Sequence, residues 1–219
     1  MFPGGTLCDM AAPLPLNEPS TIQAPLKEVD KMGALPEWML SLPDEGITAE
    51  QYDRMPVEDC RNIEIVDGSI VVSPAATPRH NEIAMELAHA LKRAAPPPWR
   101  ATIDSDLRIS EVPLTNRRPD VLVYRGDPRN RPVLPGDALL AVEIMSTGSV
   151  STDRFSKPVE YAQAGIPHYW RLEENSSGLT TYTFALNPAS REYSETGAYH
   201  GALKTEQPFP FDIDLPALL

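Results

Sequence analysis

A mixed β-sheet flanked by α-helices, with an antiparallel extension at its C-terminal end, is the fold predicted by this sequence of 219 residues. Three observations predict it. Apolar runs of strand length (119–124, 139–145 and 168–172) alternate along the central part of the chain with segments of helical spacing. An Asp67-Gly68 pair lies between two β-prone runs, as in a tight hairpin. After residue 175, short β-prone stretches follow one another with turns between them and no helix pattern.

The elements follow in order. Residues 1–44 form a Pro-rich leader: 7 of the 24 prolines fall in the first 45 positions, among few apolar clusters. Within it, Leu35-Pro36-Glu37-Trp38-Met39-Leu40 is the segment expected to dock on the domain. The domain itself is expected over 45–219. Thr48-Ala49-Glu50-Gln51 has the form of a capping box and predicts a helix start at Thr48. Ile63–Val66 and Ile70–Val72 are the two arms of the hairpin. From Arg79 to Arg93, Ile83, Leu87 and Leu91 recur at helical spacing until Pro96-Pro97-Pro98 stops them. Trp99–Ile109 reads as one strand, and 119–124 and 139–145 as buried sheet centres. A helix ends at Gly165, a suitable C-cap. Pro158 is harmless only in a first turn, which sets the start near Ser156. His168–Leu172 is a further strand, and Thr180–Leu186 and Glu192–Ser194 belong to the extension.

Composition excludes several classes. No apolar run approaches the roughly 18 residues a membrane span needs, and the N-terminus lacks the pattern of a signal peptide. Cys8 and Cys60 are too few for a disulfide framework or a zinc finger. A soluble, cytoplasmic protein with no membrane association is the expectation. The net charge of -12 argues against nucleic acid at first sight. The charges are uneven, however: residues 79–131 carry 10 basic and 7 acidic side chains, including Arg117, Arg118, Arg125, Arg129 and Arg131. On charge alone a solvated face is the favoured reading.

Two carboxylates carry the chemistry. Asp120 and Glu143 each interrupt an apolar strand, where burial is costly unless the group is paired or coordinates a cation. Hard oxygens on adjacent strands suit Mg²⁺, and Glu64 in the hairpin offers a third. The alternative for each acid is a solvated strand end or a helix cap. Tyr161 and Trp170 read as core aromatics, and His80 as a helix-start hydrogen-bonding residue. Asp104-Ser105-Asp106 reads as a polar strand edge, and Glu86-Leu87-Ala88-His89 as a chance di-iron spacing.

Arg118-Pro119-Asp120-Val121-Leu122-Val123, Val142-Glu143-Ile144-Met145-Ser146, and then Asp153, Lys157, Tyr161, Gly165 and Tyr169-Trp170 together resemble the Uma-type "putative restriction endonuclease" family of the PD-(D/E)XK nuclease superfamily. Glu64-Ile65-Val66-Asp67-Gly68, Ser73-Pro74 and Arg79-His80 match its first half. The resemblance covers residues 45–175, leaving 176–219 as the β extension. It implies a restriction-endonuclease-like fold and a metal-dependent DNA endonuclease that hydrolyses phosphodiesters. Asp120 and Glu143 would bind Mg²⁺ or Mn²⁺, Glu64 would complete or orient the site, and Lys157 would be the electrophilic partner. The superfamily's usual lysine position, two residues after the second acid, holds Met145, and Lys157 is the matching residue on the next helix. Thr147 stands where the family usually has proline.

Two rival functions differ in class. One is a nuclease-like fold that binds nucleic acid or a protein without cutting, favoured by the acidic total, Met145 and Pro158. The other is a self-associating module, since such folds often form a homodimer. Asp120 and Glu143 carboxylates converging within a few ångströms, with Lys157 nearby, favour catalysis, and Lys157 pointing away favours binding.

Overall fold

The computed structural model describes residues 46–61, 63–72, 75–145, 155–176 and 178–218. The expected leader with its Trp38 segment, and the quoted Ser73-Pro74, Ser146-Thr147 and Asp153, lie outside them.

Helix α1 (Ala49–Arg54) starts as its sequence dictates: Thr48 Oγ1 accepts from the Gln51 amide while the Gln51 side chain accepts from the Thr48 amide. β1 (Ile63–Val66) and β2 (Ser69–Val72) form the hairpin, with Asp67 and Gly68 both at positive φ (49° and 78°). Helix α2 (Pro78–Ala94) is capped by Thr77, whose hydroxyl accepts from the His80 amide. β3 (Arg100–Ile103), β4 (Leu107–Glu111), β5 (Leu114–Arg117), β6 (Val121–Tyr124) and β7 (Ala138–Ile144) follow. Helix α3 (Lys157–Ala164) leads to β8 (His168–Asn175), β9 (Gly178–Asn187), β10 (Glu192–His200), β11 (Ala202–Thr205) and β12 (Phe211–Asp214). Pro158 sits in the first turn of α3, and Gly165 closes the helix at φ 87°, as expected from the sequence.

Six strands form the main sheet in the order β10-β9-β8-β7-β6-β3, and β7–β8, joined through α3, is its one parallel pair. A second sheet has the order β2-β1-β5-β4, and β11 pairs with β12. The fold is therefore the expected mixed sheet with flanking helices. The extension does not form a layer of its own: β9 and β10 widen the main sheet beyond β8, with longer strands than the sequence indicated.

Both faces of β6 and β7 are covered, which explains their unbroken apolar reading. On one face Val121, Val123, Leu140, Val142 and Trp170 pack with Ile83, Leu87 and Leu91 of α2 and with Leu203, Phe211 and Leu215 from the C-terminal segment. On the other, Leu122, Ala141 and Tyr169 pack with Tyr161 of α3, Ile166 and Leu107. Among the described residues no helix is long and apolar enough to cross a membrane.

Two elements differ from expectation. Trp99–Ile109 is two strands in different sheets, broken where Asp104 takes φ 47° and Arg118 binds both Asp104 and Asp106. Asp104-Ser105-Asp106 is thus an arginine-bound corner rather than an edge. β5, Leu-Thr-Asn-Arg, gave no strand signal because its buried positions are mostly polar.

Candidate active site

β6 and β7 pair antiparallel with Val121 opposite Val142, so Asp120 immediately precedes the first paired residue of β6 and Glu143 immediately follows that residue's partner on β7. Ile65 opposite Asn116 sets Glu64 opposite Arg117 across β1 and β5. The start of α3 then supplies Lys157. Its Nζ donates to Glu143 Oε2 at 2.8 Å and lies 3.6 Å from Glu64 Oε1. Lys157 of α3 therefore bridges Glu143 of β7 and Glu64 of β1.

Each carboxylate is held by fixed donors. Tyr161, one turn after Lys157 on α3, donates its hydroxyl to Glu143 Oε1 at 2.6 Å. Glu64 accepts from Arg117 Nη1 at 2.9 Å and from the Arg118 amide at 3.0 Å. Arg117 also forks onto Glu160 of α3, at 2.6 and 2.7 Å. Asp120 accepts the Ile144 amide on Oδ2 at 2.6 Å, and His80 Nε2 lies 2.9 Å from its Oδ1.

The cluster lies inside the protein: Glu143 is 1% exposed, Glu64 5% and Lys157 8%. Burial would raise the Glu64 pKa, but Lys157, the Arg118 amide and Arg117 outweigh it and hold the carboxyl below its ordinary value. Burial likewise opposes the charge on Arg117, and Glu160 and Glu64 overcome that opposition, so its pKa is raised. Burial, with Glu143 and Glu64 beside it, pushes the Tyr161 phenol well above its ordinary range, so Tyr161 is a neutral donor. Glu64, Glu143 and Glu160 pair with Arg117 and Lys157, while Asp120 pairs with His80. Among the described residues, no group of three or more His, Cys, Asp or Glu is placed to hold a metal ion.

Sequence reasoning missed four of these groups. Tyr161 is buried, as a core aromatic should be, yet its hydroxyl serves Glu143. His80 makes the expected helix-start bond through its backbone while its ring reaches Asp120. Glu160 and Arg117 were legible only as charges; the spacing Lys157, Glu160, Tyr161 on one helix face was the available signal. The basic run is otherwise neutralised locally: Arg118 binds Asp104 and Asp106, Arg125 binds Asp137, and Arg129 binds Asp127. Glu86 and His89 lie on α2 with exposed side chains, outside this cluster.

Comparison with known proteins agrees with this architecture. A crystal structure described as a putative nuclease belonging to DUF820, from Anabaena variabilis ATCC 29413, superposes with a TM-score of 0.57 at 16% identity. The match covers 78% of this chain and 97% of that one, and it shows a shared fold. No curated protein matches the sequence. The family model Uma2, described as "Putative restriction endonuclease", matches residues 49–217, a span that holds every residue of the cluster. The chain belongs to the Uma2 family.

Proposed function

We propose that the protein is a metal-dependent DNA endonuclease of PD-(D/E)XK type, hydrolysing phosphodiester bonds at the Asp120–Glu143 pair. One observation carries this reading above all: Lys157 reaches Glu143 from a neighbouring helix, although Met145 occupies the superfamily's usual lysine position. The cation chemistry is thus available from a different element of the chain.

The donor set fits a divalent ion. Asp120, just before β6, and Glu143, within β7, offer the hard carboxylate oxygens that suit Mg²⁺ or Mn²⁺ together with water and phosphate oxygens. Asp120 and Glu143 would hold it, and the chemistry such an ion supplies is polarisation of the phosphate and acidification of a bound water. The protein's own groups do the rest. His80 and the Ile144 amide orient Asp120, and Tyr161 orients Glu143. Lys157 presents a positive charge where negative charge develops on the phosphate, and Glu64, itself fixed by Arg117, keeps that ammonium in place.

A second reading, binding without cleavage, draws on the ion pairs that absorb Arg118, Arg125 and Arg129. Supercoiled plasmid incubated with Mg²⁺ or Mn²⁺ separates the two. Nicking by the wild type and none by Asp120→Ala is the expected result. Equal nicking by both proteins would sink the site assignment, and none by either, with metal bound to the wild type, would favour the binding reading.

A further inference from the structure

A concavity of about 480 Å³ is lined in part by Arg118 and Asp104, whose backbones bond to the cluster. Its walls bring together four arginines, Arg61, Arg118, Arg129 and Arg131, with only Asp104 and Asp106 as acids, in a protein whose net charge is -12. The two inner arginines form a fixed floor. Asp106, its side chain 2% exposed, accepts from Arg118, Arg131 and the Tyr52 hydroxyl together. Arg131 also donates to the Met55 carbonyl and lies over the Tyr52 ring at 5.7 Å. Its bonds to Asp106, the Met55 carbonyl and Cys60 leave further N–H donors on the fork for an anion.

The two outer arginines differ. Arg61 is exposed and makes no hydrogen bond or ion pair with any described residue. Arg129, its side chain 88% exposed, is tied only to Asp127 two residues away, a surface pair that a stronger anion can displace. Even with Asp127 counted, the cleft is net positive. Thr102, Ser105 and Asn130 add neutral hydrogen-bonding groups. Two backbone bonds join this cleft to the candidate active site. The Arg118 amide donates to Glu64, and the Asp104 amide donates to the Asp120 carbonyl at 3.4 Å.

We infer that this cleft binds the phosphodiester backbone of the nucleic-acid strand flanking the bond at Asp120, with Arg61 and Arg129 as the phosphate-contacting residues. The inference rests on the nuclease reading for its geometry, but the binding it asserts is separable from cutting. Exposed guanidiniums that release counterions from phosphates give affinity without sequence preference, which suits a cleft that lacks a helix or ribbon for reading a groove.

The test is fluorescence anisotropy with a labelled 20-base-pair duplex in Ca²⁺, across a salt series, alongside plasmid nicking in Mg²⁺. Arg61→Glu/Arg129→Glu is compared with Arg54→Glu/Lys204→Glu, which changes net charge equally at two exposed positions outside the cleft. The cleft variant is expected to lose about tenfold or more in affinity at low salt and to flatten the salt dependence by about two phosphate contacts. The control pair should bind as the wild type does, and thermal melts should show all three proteins folded. Unchanged binding in the cleft variant, or an equal loss in the control, overturns the inference while wild-type nicking keeps the nuclease reading. Loss confined to the cleft variant without nicking by the wild type upholds the inference and overturns the nuclease reading. Absence of duplex binding by the wild type overturns the inference.

Discussion

The two faces of the β6–β7 pair carry opposite kinds of interior. Against α2 the sheet is closed by the apolar side chains of Ile83, Leu87, Leu91, Val142 and Trp170. Against α3, one residue further along β7, Glu143 meets Lys157 and Tyr161 in an equally buried setting. A purely apolar layer contributes stability through area and close packing. Buried ions are weak contributors to stability and costly when one partner is lost, so a cluster of them marks a place selected for chemistry or specificity. On the proposed function the α2 face supplies stability and the α3 face chemistry, a division that experiment can break.

The largest effect is expected from Asp120→Ala and Glu143→Gln. Each should lower plasmid nicking by about a thousandfold, equivalent to ~4 kcal/mol of barrier, while circular dichroism shows the fold retained. Loss of folding instead would mean that the acids serve the core. Next comes Leu87→Ala on the opposite face, expected to cost about 2–5 kcal/mol in denaturant melts, with activity unchanged well below the transition. An activity loss without destabilisation would erase the distinction between the faces.

Lys157→Met should reduce cleavage about a hundredfold, or ~2.7 kcal/mol, and Lys157→Arg should not restore it, because a planar fork does not replace a point charge. Full activity in Lys157→Met would remove the lysine from the mechanism. Tyr161→Phe should cost about 1.5–3 kcal/mol, as for a hydrogen bond to a charged group, and weaken metal affinity by about tenfold, read by calorimetry. The smallest effect concerns pH. The Glu64 pKa is lowered in the folded state, so its contribution is complete above the unfolded value and lost as pH falls through the folded one. Below pH ~4.3, the ordinary glutamate value, Glu64→Gln should therefore lose less stability on acidification than the wild type, measured by melts in a pH series. Parallel curves would show that Glu64 is not ionised in its ion pairs.

Legibility in the sequence followed the range of the interaction. Asp120 and Glu143 stood out because a carboxylate within an apolar run is costly wherever it occurs. The hairpin and the helix starts were legible because Asp67-Gly68, Thr48 and Pro158 act within a few residues. The break at Asp104 was not, since its cause, Arg118, lies 14 residues away. β5 was hidden because Asn116 and Arg117 are buried with polar partners from the neighbouring strand β4 and from α3. Tyr161 is the core aromatic the sequence indicated, but its bond to Glu143 was not legible: helical spacing reports that a side chain is inside, and says nothing of what its hydroxyl meets there.

The widened sheet has one more consequence. β10 is its outer edge, a place where an unpaired strand can recruit another chain and seed aggregation. Its nine residues include Glu192 and Glu195, six of the nine are exposed, and its ladder slips at Glu195–Gly197. A charged, kinked border of this kind resists edge-to-edge growth. Replacing it with a smooth apolar strand would convert the margin of this protein into a template for fibres.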